Sequence, residues 1–169
     1  RLEREVVQMD RLLETVAATS EVLAAERGIA LTVQVPHTVT VIGDEARLIQ
    51  VVMNLLENAI RYTNAGGQVW VVVEQLPDAA RLTVRDTGIG IAPEHLPHIF
   101  ERFYRADSLR RQTEGGSHGL GLSIVAWIAR SHGGSIAVES QVGRGSCFTV
   151  TLPLLPPAQE ARFASSRSA

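Results

Sequence analysis

The sequence of 169 residues contains no lysine, and all 16 of its basic residues are arginine. This absence excludes mechanisms built on a lysine amine and the phosphate-binding lysine of a P-loop. A single cysteine, Cys147, excludes a disulfide framework and a multi-cysteine zinc site within one chain. No apolar run approaches the roughly 20 residues of a membrane span, so we expect a soluble domain.

The sequence also lacks an excess of either sign of charge. The 16 basic and 18 acidic residues leave a formal net charge of −2. Such a balance offers no field for holding nucleic acid or an anionic membrane, so we expect no nucleic-acid partner. The 45% of hydrophobic residues are enough for one folded domain with a sizeable core.

The opening stretch, from Arg1 to Arg27, contains neither proline nor glycine. Apolar residues recur in it at alternating spacings of four and three, which predicts a helix. For the first dozen residues two interpretations stay open. The segment is either the end of a coiled-coil or bundle helix cut from a longer protein, or a helix packed on its own domain.

The rest of the chain alternates pairs of strands with helices. The runs IALTVQV and TVTVI predict two short strands, and Asp44 is the expected N-cap of a long helix up to Thr63. Two strands follow around Pro77, then a long loop over residues 88–118, a helix from Gly119 and a closing hairpin. This order predicts an α+β fold, a two-layer α/β sandwich with a mixed, mostly antiparallel sheet and helices on one face. The tail from residue 154 to 169 is expected to be unstructured.

The long central helix carries an unusual polar face. At 100° per residue, Asn54, Glu57, Asn58 and Arg61 fall within a sector of about 100°, opposite the apolar residues. Asparagine is a mediocre helix former, so two asparagines four residues apart are not the residues expected on a helix face without a function. Their amide oxygens suit a Mg²⁺ ion that is completed by phosphates, and an arginine one turn further on is within reach of a phosphate oxygen.

Two glycine-rich segments are further candidate sites. Asp86 ends a strand and is followed by Gly88 and Gly90, in a pattern that fails the dinucleotide-binding fingerprint because Pro93 stands where helix packing is expected. An acid beside close-approach glycines suits a hydrogen bond from an exocyclic amine. The segment GGSHGLGLSIV places glycines at a helix start, where free N–H groups suit phosphate. The same glycines would equally suit a flexible hinge.

Together these motifs resemble the ATP-binding catalytic domain of sensor histidine kinases, a member of the Bergerat-fold GHKL superfamily. NLLENAIRYT resembles the N box, DTGIGI the first glycine box, FERFYR the F box, GGSHGLGL the second glycine box and GRGSCFTVTLP the last strand-turn signature. The match runs from about Ala30 to Pro153. The resemblance implies three segments: residues 1–13 as the end of a dimerisation helix, 14–153 as the ATP-binding domain and 154–169 as a tail.

The resemblance also implies the cofactors ATP and Mg²⁺ and a role for each matching residue. Asn58 is the expected principal Mg²⁺ ligand, with Asn54 assisting. Tyr62 is expected to pack on the adenine, Asp86 to accept from its amino group, and Phe100 and Phe103 to anchor the lid. The expected catalytic set is Glu57, Asn58, Arg61 and Arg105. The expected nucleotide-binding set is Asn54, Asn58, Arg61, Tyr62, Asp86, Gly88, Gly90, Ile91, Arg105, Ser117, His118, Gly119, Leu120, Gly121 and Leu122.

Two departures from the family pattern matter. His118 stands where the family more often has Ser or Thr, so Ser117 is the expected substitute for a lid hydroxyl. None of the five histidines lies in the acceptor sequence of the family, and each is expected to have a local role. The phosphoacceptor histidine is therefore expected outside this chain.

The resemblance implies transfer of the γ-phosphoryl group to that histidine and then to a response regulator. We expect a cytoplasmic domain of a membrane-anchored, homodimeric sensor, with Glu57 near the acceptor imidazole. Two alternatives stay open. One is an ATPase of the gyrase, MutL or chaperone kind, although these place a water-activating glutamate where this sequence has Asn54. The other is a nucleotide-binding module without catalysis.

Overall fold

The structure, a computed structural model, describes residues 1–104 and 121–167. Four α-helices lie in this part of the chain: α1 (Met9–Glu26), α2 (Glu45–Arg61), α3 (Gly121–Ser131) and α4 (Pro157–Arg167). A short 3₁₀ helix covers Leu96–His98. The seven strands are β1 (Glu5–Gln8), β2 (Ala30–Gln34), β3 (Thr40–Gly43), β4 (Gln68–Gln75), β5 (Ala79–Asp86), β6 (Ser135–Gln141) and β7 (Gly145–Pro153).

The main sheet has five strands in the order β2-β4-β5-β7-β6. Strand β2 pairs parallel with β4, and every other neighbouring pair is antiparallel. The hairpins β4–β5 and β6–β7 are those that the sequence predicts. The mixed, mostly antiparallel sheet of the predicted α+β fold is therefore confirmed.

The core lies between one face of this sheet and helices α1, α2 and α3. Alternate residues of β4, namely Val69, Val71 and Val73, are buried, as expected for a strand covered on one face. Helix α2 contributes the largest share of the helical side, because its apolar residues recur with helical period. Its buried residues are Leu48, Val51, Val52, Leu55, Leu56, Ala59 and Ile60.

The N-terminal segment differs from the helix predicted there. Glu5–Gln8 is a strand that pairs antiparallel with β3 in a separate two-stranded sheet. The β-branched pair Val6 and Val7 suits that edge, and a helical spacing of apolar residues does not exclude a strand so short. Strands β2 and β3 follow one another along the chain but do not form a hairpin, because β2 pairs with β4 and β3 pairs with β1.

Helix α1 packs on its own domain, which is the second of the two interpretations open for this stretch. Met9, Leu12, Leu13 and Val16 are buried in the common core. The helix runs through residues 13 and 14 without a break, and the boundary predicted there stays a prediction.

The tail also differs from its prediction. Leu154 forms a bridge with Val41, and Pro157–Arg167 is helix α4 rather than an unstructured segment. The prolines stop β7 and then start the helix, since proline is favoured at a first helical position. Ala, Gln, Glu and Arg, which follow, are good helix formers. Within the described ranges, no helix combines the length and the apolar character needed to cross a membrane.

Candidate active site

The polar face of α2 forms one wall of the candidate site. The N-cap prediction is confirmed, since the Asp44 carboxylate accepts a hydrogen bond from the Arg47 N–H at 3.1 Å. Asn54, Asn58 and Arg61 lie on the face away from the core and are each half-buried, whereas Glu57 beside them is exposed. The helix therefore presents two amide groups and one guanidinium along three successive turns.

The start of helix α3 lies against this wall. The side-chain amide of Asn54 donates to the Gly121 carbonyl at 3.4 Å. This contact leaves the amide oxygen of Asn54 pointing elsewhere, since the nitrogen is the donor. The helix that follows the second glycine box thus begins beside the polar face of α2.

Asp86 forms the second wall, at the end of β5. Its carboxylate oxygen Oδ1 accepts from the Gly88 N–H at 2.8 Å and from the Ser146 N–H at 3.2 Å. The side chain is buried, with 6% of the residue exposed. Burial raises the pKa of Asp86 above its ordinary value, because desolvation penalises the charged form more than the two N–H donors favour it.

Three glycines let backbone segments meet around this carboxylate. A Cβ on Gly88 would lie 2.4 Å from the Tyr62 carbonyl oxygen, and one on Gly90 would lie 2.1 Å from that of Gln141. A Cβ on Gly145 would lie 2.0 Å from the carbonyl oxygen of Asp86 itself. No real side chain tolerates such distances, so these positions require glycine.

Hydrogen bonds hold the first glycine box between α2 and the β6–β7 hairpin. The Ile89 N–H donates to the Tyr62 carbonyl at 3.0 Å, and the Ile89 carbonyl accepts from the Gly143 N–H at 2.9 Å. The Ile91 N–H donates to the Ser140 hydroxyl at 2.8 Å. The loop after β5 is thus fixed to the C-terminal end of α2, directly after Asp86.

Sequence reasoning did not assign the hairpin residues Ser140, Gly145 and Ser146 to this site. Ser140 Oγ bonds the hydroxyl of Ser146 at 2.7 Å and donates to the Gly145 carbonyl at 3.0 Å. Both serines therefore stabilise the turn that supplies the second donor to Asp86. The sequence signal for these hairpin residues is the segment GRGS at the start of β7, which by itself predicts a turn and no part of the site.

The F box is only partly as expected. Phe100 packs edge-on against Phe148 of β7, with ring centroids 6.3 Å apart, so it anchors the segment to the core. Phe103 is 64% exposed, at a positive φ of 64°, and contacts the Arg102 guanidinium instead. An anchoring role for Phe103 is not observed. The predicted site residues Arg105, Ser117, His118, Gly119 and Leu120 lie outside the described residues.

The chemistry of the described residues favours a nucleotide over a bare metal. Within residues 1–104 and 121–167, no group of three His, Cys, Asp or Glu side chains is placed to hold a metal ion. The amide oxygens of Asn54 and Asn58 are neutral ligands, which suit Mg²⁺ when phosphates provide the remaining charge. The buried carboxylate of Asp86 suits an amine donor at the other end of the site.

Comparison with known proteins agrees with this arrangement. The family described as histidine kinase-, DNA gyrase B- and HSP90-like ATPases matches residues 43–156. The chain is 50% identical to the sensor histidine kinase RppB of Synechocystis over 112 residues, which cover 66% of this chain and 24% of RppB. The chain thus spans about a quarter of the length of that curated relative.

Solved structures of histidine kinases share the fold. A mycobacterial sensor histidine kinase, MprB, is 31% identical, with a TM-score of 0.76 over 91% of this chain and 99% of its own. Full-length ShkA in complex with AMPPNP is 32% identical, with a TM-score of 0.79 over 91% of this chain and 32% of its own. The chain therefore belongs to the family of histidine kinase-, DNA gyrase B- and HSP90-like ATPases, and it shares the fold of these sensor histidine kinases.

Proposed function

We propose that this chain binds Mg²⁺-ATP between α2 and the loop after β5, and transfers the γ-phosphoryl group to a histidine outside the chain. One observation carries the proposal. The Ile89–Tyr62 backbone hydrogen bond fixes Asp86 beside a helix face that carries Asn54, Asn58 and Arg61. This bond supports the proposal that an acceptor for a base amine and a set of phosphate and Mg²⁺ ligands belong to one site.

The adenine end of the site rests on Asp86. Its carboxylate would accept from the exocyclic amino group, and a bond to a charged group contributes roughly 1.5 to 3 kcal/mol. Gly88, Gly90 and Ile91 would line the ring, and Tyr62 at the end of α2 would pack on it. ShkA, which has the same fold, was solved in complex with AMPPNP, and this supports a nucleotide ligand for this chain.

The phosphate end rests on α2. Asn58 would be the principal Mg²⁺ ligand, with the amide oxygen of Asn54 assisting, and the phosphates would complete the coordination. When bound, Mg²⁺ supplies neutralisation of the charge that develops on the phosphates. Arg61 would contact a phosphate oxygen, and Arg105 the γ-phosphate. Ser117, His118, Gly119, Leu120, Gly121 and Leu122 would cover the phosphates.

The acceptor would be a histidine on the dimerisation domain of the parent protein. In the transfer, the bond from the γ-phosphorus to the bridging oxygen breaks, a bond from phosphorus to an imidazole nitrogen forms, and ADP leaves. Glu57 is exposed beside the site, where it would take the imidazole proton. A response regulator would then receive the phosphoryl group. We place the module in the cytoplasm, attached to a membrane-anchored homodimeric sensor.

The test is phosphoryl transfer from γ-labelled ATP to the separately purified dimerisation domain of the parent protein. We expect labelling of that domain that requires this chain and Mg²⁺ and that is lost on mild acid treatment, as phosphohistidine is. ATP turnover that needs Glu57 and proceeds without the acceptor domain would instead favour the ATPase alternative. Nucleotide binding without transfer to a competent acceptor would favour the non-catalytic module.

A further inference from the structure

His132 is buried directly after the C-terminal end of α3, with 6% of the residue exposed. Its Nδ1 lies 2.8 Å from the Ile128 carbonyl oxygen of its own helix. Its Nε2 lies 3.0 Å from the backbone nitrogen of Asp44. A carbonyl only accepts and a backbone N–H only donates, so Nδ1 carries the proton and Nε2 accepts. The ring therefore joins the end of α3 to the N-cap residue of α2.

This bond lies at the opposite end of the α2–α3 pair from the candidate site. At the end near the site, a second hydrogen bond joins these helices, from Asn54 to Gly121. Asn54 is ten residues after Asp44, and Gly121 is eleven before His132, which are rises of about 15 and 17 Å at 1.5 Å per residue. The two helices thus run antiparallel with one hydrogen bond at each end, and the matched lengths keep both bonds in register.

The surrounding backbone makes room for the imidazole. A Cβ on Gly43 would lie 2.7 Å from Cδ2 of His132 and 2.9 Å from its Nε2. Glycine at position 43 therefore lets the ring approach the Asp44 N–H. The same Asp44 caps α2 through Arg47 and accepts at Oδ2 from the Glu3 N–H at 3.1 Å. The contact point is thus fixed from three sides.

We infer that His132 is a positioning residue for the nucleotide site, because its bond to Asp44 sets where the start of α3 lies relative to Asn54. Both helices are packed on the core by apolar side chains, an attraction that has no preferred direction. The bond at the Asp44 end is directional, so it adds a fixed point that helps set the distance from Gly121 to the polar face of α2. The effect on nucleotide affinity rests on the proposed function, whereas the effect on Asn54 does not.

Two substitutions separate the bond to Asp44 from the rest of the side chain. In His132→Gln the side-chain oxygen Oε1 is a hydrogen-bond acceptor two bonds beyond Cγ, which is as far from Cγ as Nε2 is in histidine. His132→Asn carries its amide only as far as Nδ1, so it retains a donor for Ile128 and loses the contact with Asp44. Urea unfolding first identifies a temperature at which the wild-type chain and both variants are folded. Each variant is then compared with the wild-type chain at that temperature.

The first measurement is the side-chain amide signal of Asn54 in ¹H–¹⁵N spectra without nucleotide. We expect it to shift in His132→Asn and to stay near its wild-type position in His132→Gln. We also expect affinity for Mg²⁺-AMPPNP, by calorimetry, to fall about 3- to 10-fold in the asparagine variant and less than about 2-fold in the glutamine variant. A merely structural histidine would move neither quantity in folded protein.

An unshifted Asn54 signal in both variants would overturn the inference, whatever the nucleotide data. No binding by the wild-type chain would count against the proposed function alone. Should His132→Asn fail to fold, Gly43→Ala is the second variant, since its Cβ would push the ring away from Asp44. The same shift of Asn54 is then expected, and an unchanged signal would again overturn the inference.

Discussion

The two walls of the candidate site are built in opposite ways. Asp86 is buried, and two backbone N–H groups already hold its Oδ1 at 2.8 and 3.2 Å. The polar residues of α2 are half-buried or exposed. Within residues 1–104 and 121–167, the side chains of Asn54, Glu57, Asn58 and Arg61 form one hydrogen bond, from Asn54 to Gly121 at 3.4 Å. One wall is preformed by close backbone packing, and the other is a row of side chains with unused ligand capacity.

The difference teaches which part of the site depends on the rest of the fold. A carboxylate held by turn backbone keeps its geometry only while Gly88 and Gly145 keep theirs. Side chains on a helix face keep their place as long as α2 is folded, so their loss changes binding and not the fold. Substitutions at the first wall should therefore act on stability and base recognition, and those at the second on Mg²⁺ and phosphates.

The largest expected effect is on stability, at the preformed wall. Gly145→Ala combines a positive φ of 107° with a Cβ 2.0 Å from the Asp86 carbonyl oxygen. We expect a loss of about 2 to 5 kcal/mol in the free energy of unfolding, measured in urea. Gly143→Ala is the matched control, since it has a positive φ of 80° and no atom within 4 Å of the added Cβ. It should lose only about 1 to 2 kcal/mol; equal losses would refute the close-approach argument.

The next effect is on base recognition. Asp86→Asn removes the charged acceptor and should weaken ADP binding by about 10- to 100-fold in calorimetric titration. The exposed Asp78, in the β4–β5 turn, provides the control Asp78→Asn, for which we expect wild-type affinity. ADP affinity that survives Asp86→Asn would remove Asp86 from the nucleotide site.

At the second wall the expected effect concerns the metal. Asn58→Ala should abolish the Mg²⁺-dependent gain in affinity for an ATP analogue while urea unfolding stays close to wild type, because the amide oxygen is lost from a surface that carries no core packing. Chelation of Mg²⁺ should bring the wild-type chain down to the level of the variant. Asn64→Ala, at an exposed residue beyond α2, is the control. An undiminished Mg²⁺ response in Asn58→Ala would contradict the ligand assignment.

A smaller effect is the pH dependence of stability. The pKa of Asp86 is raised in the folded chain by burial, so the folded state binds its proton more tightly than the unfolded state. The contribution of this group to stability is present below the unfolded pKa and is lost as pH rises through the folded pKa. The difference in unfolding free energy between wild type and Asp86→Asn should therefore turn against wild type as pH rises from acid to neutral. The opposite slope would contradict the assigned desolvation.

The smallest expected effect on binding is that of Glu57→Gln. Glu57 is exposed on α2, so nucleotide affinity should stay within about 2-fold of wild type, while transfer to the acceptor domain falls. Glu45→Gln, at another exposed residue of the same helix, should change neither. Transfer at the wild-type rate in Glu57→Gln would remove the proposed role in accepting the imidazole proton.

Much of this comparison was predictable from the sequence. Helical period placed the polar face of α2, and strand alternation placed Asp86 at a strand end. The contribution of Ser140 and Ser146 was not predictable, because hydrogen bonds between a β5 carboxylate and a β7 turn depend on the strand order of the sheet. The strand at Glu5–Gln8 was also missed, since its partner β3 lies over thirty residues away and four residues are too few to define a period.

The central claim is that both walls hold one nucleotide. The most direct measurement is a calorimetric titration of the whole chain with AMPPNP, with and without Mg²⁺, on wild type, Asp86→Asn and Asn58→Ala. We predict one site, with affinity that falls in Asp86→Asn whether or not Mg²⁺ is present and that falls in Asn58→Ala only when Mg²⁺ is present. Binding that is indifferent to both substitutions, or no binding by the folded wild-type chain, would contradict the account.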